Sequence, residues 1–242
     1  LQKILDNLET YMAKAIAHYW GSRESQKKKQ TARGVSDAGS RSDVTGGVQM
    51  DGFVSLVKAI MMETGIQEEC IFQKTSVVLP GYFRPTKAWD LIVVKNGYLI
   101  AAVEAKSQAG PSFGNNFNNR TEEAIGSALD LWTAFREGAF NSGLQPFLGY
   151  FFMLEDCEKS NKPVRVEEPH FKVFPEFIGA SYMKRYELLC RKLTLERHYT
   201  SACFVTSTAD NGLKGEYKEP AIDLAFKKFA KSIISHVGAF PL

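Results

Sequence analysis

The feature that most constrains this chain is the run from Trp89 to Lys106, WDLIVVKNGYLIAAVEAK, which reads as a tight β-hairpin. Both arms are rich in Leu, Ile and Val, Tyr98 opens the second arm, and Asn96-Gly97 lies between them. That dipeptide is the strongest short-range hairpin signal a sequence offers. Loop length decides what the hairpin presents, because strand side chains alternate with period two and a slip of one residue turns a whole set to the other face. A two-residue turn of Asn96-Gly97 alone would set Asp90 opposite Val103, pointing away from Glu104. A three-residue loop of Lys95-Asn96-Gly97, with Gly97 left-handed and a G1 bulge, would set Asp90 opposite Ala102 and gather Asp90, Glu104 and Lys106 on one face. We adopt the three-residue loop.

Two carboxylates and an ammonium at the open end of a hairpin suit phosphodiester hydrolysis. Mg²⁺ takes hard oxygen ligands, usually one or two carboxylates plus substrate phosphate, and keeps several waters. Asp90 and Glu104 meet that need as metal ligands. Lys106 supplies a point charge that can position the attacking water or stabilise developing negative charge. The bare Glu-x-Lys pattern is weak, since a second copy stands at Glu216-Tyr217-Lys218. That copy lies in a Gly- and Pro-punctuated stretch and reads as a solvated turn. On spacing alone, a surface ion cluster at a sheet end fits the first copy equally well.

The surrounding residues break that tie. From Glu104 the chain continues EAKSQAGPSFGNNFNNRTEEAIGSALDLWTAFREGAF, and VTGGVQMDGFVSLV runs from Val44 to Val57. These blocks resemble the XhoI-type Type II restriction endonucleases of the PD-(D/E)xK nuclease superfamily. The resemblance implies a homodimeric, Mg²⁺-dependent enzyme that cleaves the palindrome CTCGAG in double-stranded DNA and leaves 5′ overhangs. It makes Asp90 the first acid, Glu104 the second and Lys106 the motif lysine. Two positions depart from the pattern: Trp89 stands where the superfamily's proline would precede Asp90, and Ala105 stands where a larger apolar residue is usual.

Composition is consistent with this and less informative. With 30 basic and 27 acidic residues the net charge is only +3, so any positive surface for nucleic acid must be local. Lys27-Lys28-Lys29, Lys184-Arg185, Arg191-Lys192 and Lys227-Lys228 are the candidates, and each pair taken singly reads as a solvated helix face. Cys70, Cys157, Cys190 and Cys203 are widely spaced and mostly in apolar surroundings, which points to core thiols in a reducing, cytoplasmic compartment. His18, His170, His198 and His236 have no zinc spacing. No run reaches membrane-spanning length and no secretory signal is seen, which argues against a membrane role. The chain opens on Leu1 and not on methionine, consistent with a few native residues preceding it.

The expected architecture is α/β: a restriction-endonuclease-like core, a mixed β-sheet flanked by helices, in one domain over 1–242. Residues 1–47 would comprise an N-terminal helix, Ile4 to Trp20, and a mobile Ser-, Gly- and basic-rich loop over 21–47. The catalytic core would span 48–210. It would hold a helix from Met50 to Glu63, a strand from Ile71 to Leu79, the hairpin, a helix opened by Asn119 and Glu122 as a capping box, and a strand from Pro146 to Leu154. A mostly helical stretch from Glu176 to Tyr199 and a strand from Ala202 to Thr206 would complete it. Residues 211–242 would be a C-terminal helical segment, with a helix from Ile222 to His236.

DNA recognition is expected from Ser107 to Arg120. Gln108, Asn115, Asn116 and Asn118 can bond both edge atoms of adenine, and Arg120 can reach guanine or a phosphate. Asn119 has a ready capping role, and Glu122 and Glu123 suit the positive end of a helix dipole. Arg33 to Gln49 is a second, weaker candidate. Glu63 reads as a surface residue near a helix end in preference to a further acid of the site.

Two rival functions stand beside the nuclease. Gly110-Pro111-Ser112-Phe113-Gly114 matches the G-x-S-x-G elbow of serine hydrolases, with Asp130 or Asp156 and His170 or His198 as partners. The elbow needs a strand running straight into its first glycine and a helix at once after it, whereas Ser107 to Ala109 and Asn115 to Asn118 are read as intervening. A catalytically silent DNA-binding module would have lost motif residues that are all present here.

Overall fold

The computed structural model describes residues 2–32, 46–141 and 143–240. Two helices open the chain, α1 (Gln2–Asp6) and α2 (Leu8–Ala32). Leu8, Met12, Ala15, Ile16, Tyr19 and Trp20 recur at helical spacing and are buried. The helix does not stop at Trp20. It runs through Gly21 to Ala32, where a mobile loop was expected, because Arg, Glu, Gln and Lys are good helix formers even where the apolar stripe has ended. A Glu24–Lys28 pair one turn apart adds to it at 2.8 Å. Of the rest of the expected loop, 33–45 lies outside the described residues and 46–47 already belong to a helix.

Next come α3 (Gly46–Met62), β1 (Ile71–Gln73), β2 (Val78–Pro80) and β3 (Thr86–Ala88). The single strand expected from Ile71 to Leu79 is thus two. Lys74 and Ser76 both take positive φ, 66° and 57°, so the chain turns out of the main sheet there. β2 and β3 then form a separate antiparallel pair, with Lys87 opposite Leu79.

The remaining strands are β4 (Leu91–Lys95), β5 (Tyr98–Gln108), β6 (Phe147–Glu155) and β7 (Ser201–Ser207). They complete a five-stranded sheet in the order β1-β4-β5-β6-β7, antiparallel through β5 and parallel from β5 to β7. The sheet is mixed and flanked by helices, as the α/β reading expected. Helix α4 (Phe113–Arg136) crosses from β5 to β6. The link from β6 to β7 carries α5 (Glu158–Asn161) and α6 (Tyr182–Leu195). After β7 follow α7 (Ala209–Gly212) and α8 (Phe226–Gly238).

Two apolar layers enclose the sheet. Helices α2, α3 and α8 pack on one face over Leu91, Val93, Val103, Ala105, Phe151 and Val205. Helices α4 and α6 pack on the other over Ile92, Ala102, Leu148, Tyr150, Phe152 and Phe204. Parallel strands β6 and β7 are therefore apolar almost without break, being buried on both sides.

Helix α4 begins earlier than the capping-box reading placed it. Phe113 stacks on Tyr182 at 5.9 Å and Phe117 meets Tyr186 edge-on at 5.1 Å. Burial of these two rings, one turn apart, outweighs the turn preference of the asparagines between and beside them. Ser112 is the N-cap and makes no side-chain cap bond, so Asn119 is an interior residue.

Candidate active site

The hairpin has a two-residue turn, not the three-residue loop adopted from the sequence. Lys95 pairs with Tyr98, and Asn96 and Gly97 both take positive φ, 53° and 81°, as a type I′ turn requires. The extra residue sits in β5 instead. Val94 pairs with Leu99 but Val93 pairs with Ala101, so Ile100 bulges and lies on the same face of the sheet as Ala101. Beyond the bulge Leu91 faces Val103, which brings Asp90 opposite Glu104. One inserted residue restores the same parity wherever it is inserted. Asp90, Glu104 and Lys106 consequently share a face, as the sequence analysis expected for a different reason.

The backbone fixes Asp90 before any charge does. Its amide donates to the Val103 carbonyl at 3.2 Å, and the Ala105 amide donates to its Oδ2 at 2.8 Å. The Lys106 ammonium reaches both acids, bonding Glu104 Oε1 and lying 3.5 Å from Asp90 Oδ2. The side chain of Glu104 is 8% exposed and that of Asp90 is 31% exposed, so Asp90 forms the open side of the cluster.

A fourth charge completes the arrangement, and the sequence reading missed it. Lys87, on β3, donates from Nζ to Glu104 Oε2 at 2.7 Å and lies 4.3 Å from the centroid of the Trp89 ring. Trp89 is buried, and its amide donates to the Val77 carbonyl at 2.9 Å, anchoring the end of β3 beside the cluster. Lys87 carries no periodic or motif signal that could have singled it out.

These contacts drive the two carboxyls apart. Burial, reinforced by the Glu104 charge, raises the pKa of Asp90 against the pull of Lys106. Burial opposes ionisation of Glu104 as well, but Lys106 and Lys87 outweigh it and the pKa is lowered. Burial also works against the Lys106 ammonium, and the two acids overcome it and raise its pKa. Opposite shifts of neighbouring carboxyls occur at working sites and in structural ion-pair networks alike. Two oxygen-donor acids with an ammonium shared between them fit a hard divalent cation that takes its other ligands from water and phosphate. They do not make an all-protein cage: among the described residues no three His, Cys, Asp or Glu side chains cluster.

The expected recognition residues separate. Asn115, Asn118 and Asn119 are exposed along α4, while Asn116 and Arg120 are half-buried and one turn apart. Arg120 pairs with Glu123 at 2.6 Å, and its charge acts on Lys106. Its Nε is buried with no hydrogen-bond partner. Gln108 is buried and donates to the Ala109 carbonyl at 2.9 Å, which holds it back from the surface. Gln49, at the edge of the second candidate loop, is likewise buried and bonds Gln26 at 2.6 Å.

Basic residues also sort themselves. Arg191 is held by Asp223 and Glu187, Lys192 by Glu176 and Lys184 by Glu187, so these clusters are engaged within the fold. By contrast, a cleft of about 520 Å³ beside the first turn of α4 is lined by Ser112, Asn115, Lys159, Lys162 and Arg165. Among the described residues none of those three cations is ion-paired. The second Glu-x-Lys copy directly follows a turn at 213–215 with Glu216 and Lys218 exposed, as expected of a solvated stretch, although it is tied to the sheet. Lys218 forms an antiparallel bridge with Thr206 and its Nζ pairs with Asp156 at 2.9 Å.

The helix does start directly after Ser112, which removes one objection to a serine elbow. Its partners are otherwise occupied. Asp130 accepts from the Tyr82 and Phe83 amides and from Arg84, and Asp156 is held by Asn161 and Lys218. Among the described residues no histidine bonds Ser112, and none lines its cleft. Also among the described residues, no helix is long and apolar enough to cross a membrane.

Residues 29–219 match the family model described as restriction endonuclease XhoI. The chain is 55% identical over 207 residues to the Type II restriction enzyme BstVI of Geobacillus stearothermophilus, covering 84% of this chain and 92% of that one. It is 52% identical over 183 residues to the Type II restriction enzyme XhoI of Xanthomonas vasicola, covering 75% and 73%. It is 48% identical over 169 residues to the Type II restriction enzyme AbrI of Azospirillum brasilense, covering 69% and 76%. No solved structure matches the chain.

Proposed function

This chain belongs to the XhoI family of Type II restriction endonucleases, and from that premise we propose that it hydrolyses both strands of duplex DNA at a palindrome, CTCGAG, leaving 5′ overhangs. It acts as a Mg²⁺-dependent homodimer in which each subunit cuts one strand. The observation that carries this reading is the convergence of Asp90, Glu104 and Lys106, with one ammonium in reach of both acids. Dimerisation follows from geometry too, since twofold symmetry in the protein mirrors twofold symmetry in a palindromic site.

Asp90 and Glu104 would hold the cation, with Asp90 the more exposed of the two. The bound cation would supply charge neutralisation at the scissile phosphate and acidify the attacking water. Lys106 then acts on the reacting group as a point charge, orienting that water or stabilising the phosphoryl oxygens as their charge grows. Asn116 and Arg120, one turn apart on α4, with the Arg120 charge acting on Lys106, read base edges or grip the adjoining phosphate. Lys159, Lys162 and Arg165 grip the flanking backbone, where charge matters and sequence does not.

The deciding experiment is digestion of plasmid DNA with and without Mg²⁺, followed by sequencing of the ends. Cuts at one palindrome, present only with the cation and carrying 5′ extensions, are expected. Shifted but uncut DNA in the presence of Mg²⁺ would replace the nuclease with a binding module.

A further inference from the structure

The cluster holds one more positive charge than a site of two acids and one lysine requires. Lys87 is that extra charge. Both oxygens of Glu104 are taken by ammoniums, Oε1 by Lys106 and Oε2 by Lys87. In formal charge, two acids face two ammoniums, so the cluster is neutral, and Arg120, whose charge also acts on Lys106, is itself paired with Glu123. A divalent cation approaching a neutral cluster gains no net attraction from it. The same cation arriving beside a DNA phosphate does.

The two lysines are not equivalent. Lys106 reaches both carboxylates that would hold the cation, so its contacts would compete with binding. Lys87 bonds only Glu104 among the acids and is pinned on its other sides, by the Trp89 ring at 4.3 Å and the Ala88 carbonyl at 2.9 Å. Its side chain is 12% exposed.

We propose that Lys87 is a permanent counter-charge to Glu104, a positioning residue that keeps the cluster neutral and so makes cation binding conditional on DNA. This rests on the nuclease reading above. Cation and DNA then tighten each other's binding by the same factor, because linkage is reciprocal. A subunit without DNA holds no strongly bound cation, and the site is completed by the phosphate to be cut.

The test is Mn²⁺ binding, measured by calorimetry on the full chain, alone and with a duplex carrying a non-hydrolysable linkage at the cleaved position. The wild type is expected to bind Mn²⁺ weakly alone and far more tightly with the duplex. Lys87→Met should bind Mn²⁺ at least about tenfold more tightly than the wild type, both alone and with the duplex, one unit of opposing charge having gone from each state. Lys87→Arg, which keeps the charge, should restore the wild-type pattern. Lys87→Gln removes the charge but keeps a donor to Glu104, so it replaces the Met variant if that fails to fold, with the same expected gain. Equal Mn²⁺ affinities in wild type and the uncharged variant, with a duplex-dependent gain in both, would overturn the role of Lys87 and leave the nuclease reading intact. No Mn²⁺ binding even with the duplex would sink both.

Discussion

Glu104 and Asp130 are both buried carboxylates, yet they are satisfied in opposite ways. Asp130, on α4, accepts from the Tyr82 amide at 2.7 Å, the Phe83 amide at 2.8 Å and Arg84 Nε at 2.7 Å. Two of its three partners belong to the backbone of the turn between β2 and β3, and the approach is so close that a Cβ on Gly81 would fall 2.6 Å from Asp130 Oδ2. Glu104 has two side-chain ammoniums instead, Lys87 held at the Trp89 ring and Lys106, shared with Asp90, on a flexible stem. A backbone amide cannot step aside for a cation, whereas an ammonium can. The same chemical group is thus a fixed strut in one place and an exchangeable ligand in the other.

Breaking the exchangeable centre should have the largest effect. Lys106→Ala is expected to lower cleavage by about 10³-fold or more, on the scale of losing a transition-state donor. Folding should survive, since Lys87 still pairs with Glu104. Specific DNA binding measured by mobility shift should be nearly intact, and unchanged turnover in digestion assays would remove Lys106 from the chemistry.

Breaking the fixed centre should cost stability in place of catalysis. Asp130→Ala leaves two amides and a guanidinium without their acceptor, a loss of about 2–4 kcal/mol in chemical denaturation. Cleavage measured well below the melting temperature should fall far less than in Lys106→Ala. The pH dependence sharpens this. Burial pushes the Asp130 pKa up, but the Phe83 amide, Arg84 and the Tyr82 amide together bring it below the ordinary value. A folded pKa below the unfolded one means that the contribution is fully present above the unfolded carboxylate value, about 3.9, and drains away as pH falls through the folded value. The stability gap between wild type and Asp130→Ala should therefore narrow below about pH 4, and a gap that stays constant there would discount the carboxylate charge.

Smaller effects are expected where the cluster meets DNA. Asn116→Ala or Arg120→Ala should weaken or relax recognition by about 1–3 kcal/mol, read as poorer discrimination between the cleaved site and single-base variants. Unaltered affinity and cutting pattern in both would return that turn of α4 to a structural role. Replacing Lys159, Lys162 and Arg165 by alanine should leave the cut position alone and flatten the dependence of log affinity on log salt by about 0.9 for each phosphate that is no longer neutralised.

The hairpin was legible because its signals are local: apolar arms, and a dipeptide suited to positive φ at both turn positions. The shared face of the acids was expected from a three-residue loop that does not form, and it arises instead from one residue inserted in β5. The location was not legible. Asn96-Gly97 closes a tight turn unaided, and the insertion moved to Ile100, inside a strand buried on both faces, where sequence carries no mark of a bulge. The start of α4 was hidden for a related reason. Asparagines advertise a loop, and only Tyr182 and Tyr186, far along the chain, provide what Phe113 and Phe117 pack against.

Sequence alone determined which chemical groups this protein brings to work and the α/β order of its elements. Those properties follow from residue type and from periods of two and 3.6, which neighbours in the chain impose on one another. Tertiary structure alone decided that Glu104 would have a second ammonium. Lys87 reaches it only because the chain leaves the sheet after Gln73, turns at Asp130's anchor and returns beside Trp89, and a pairing made by that detour leaves no trace in local pattern.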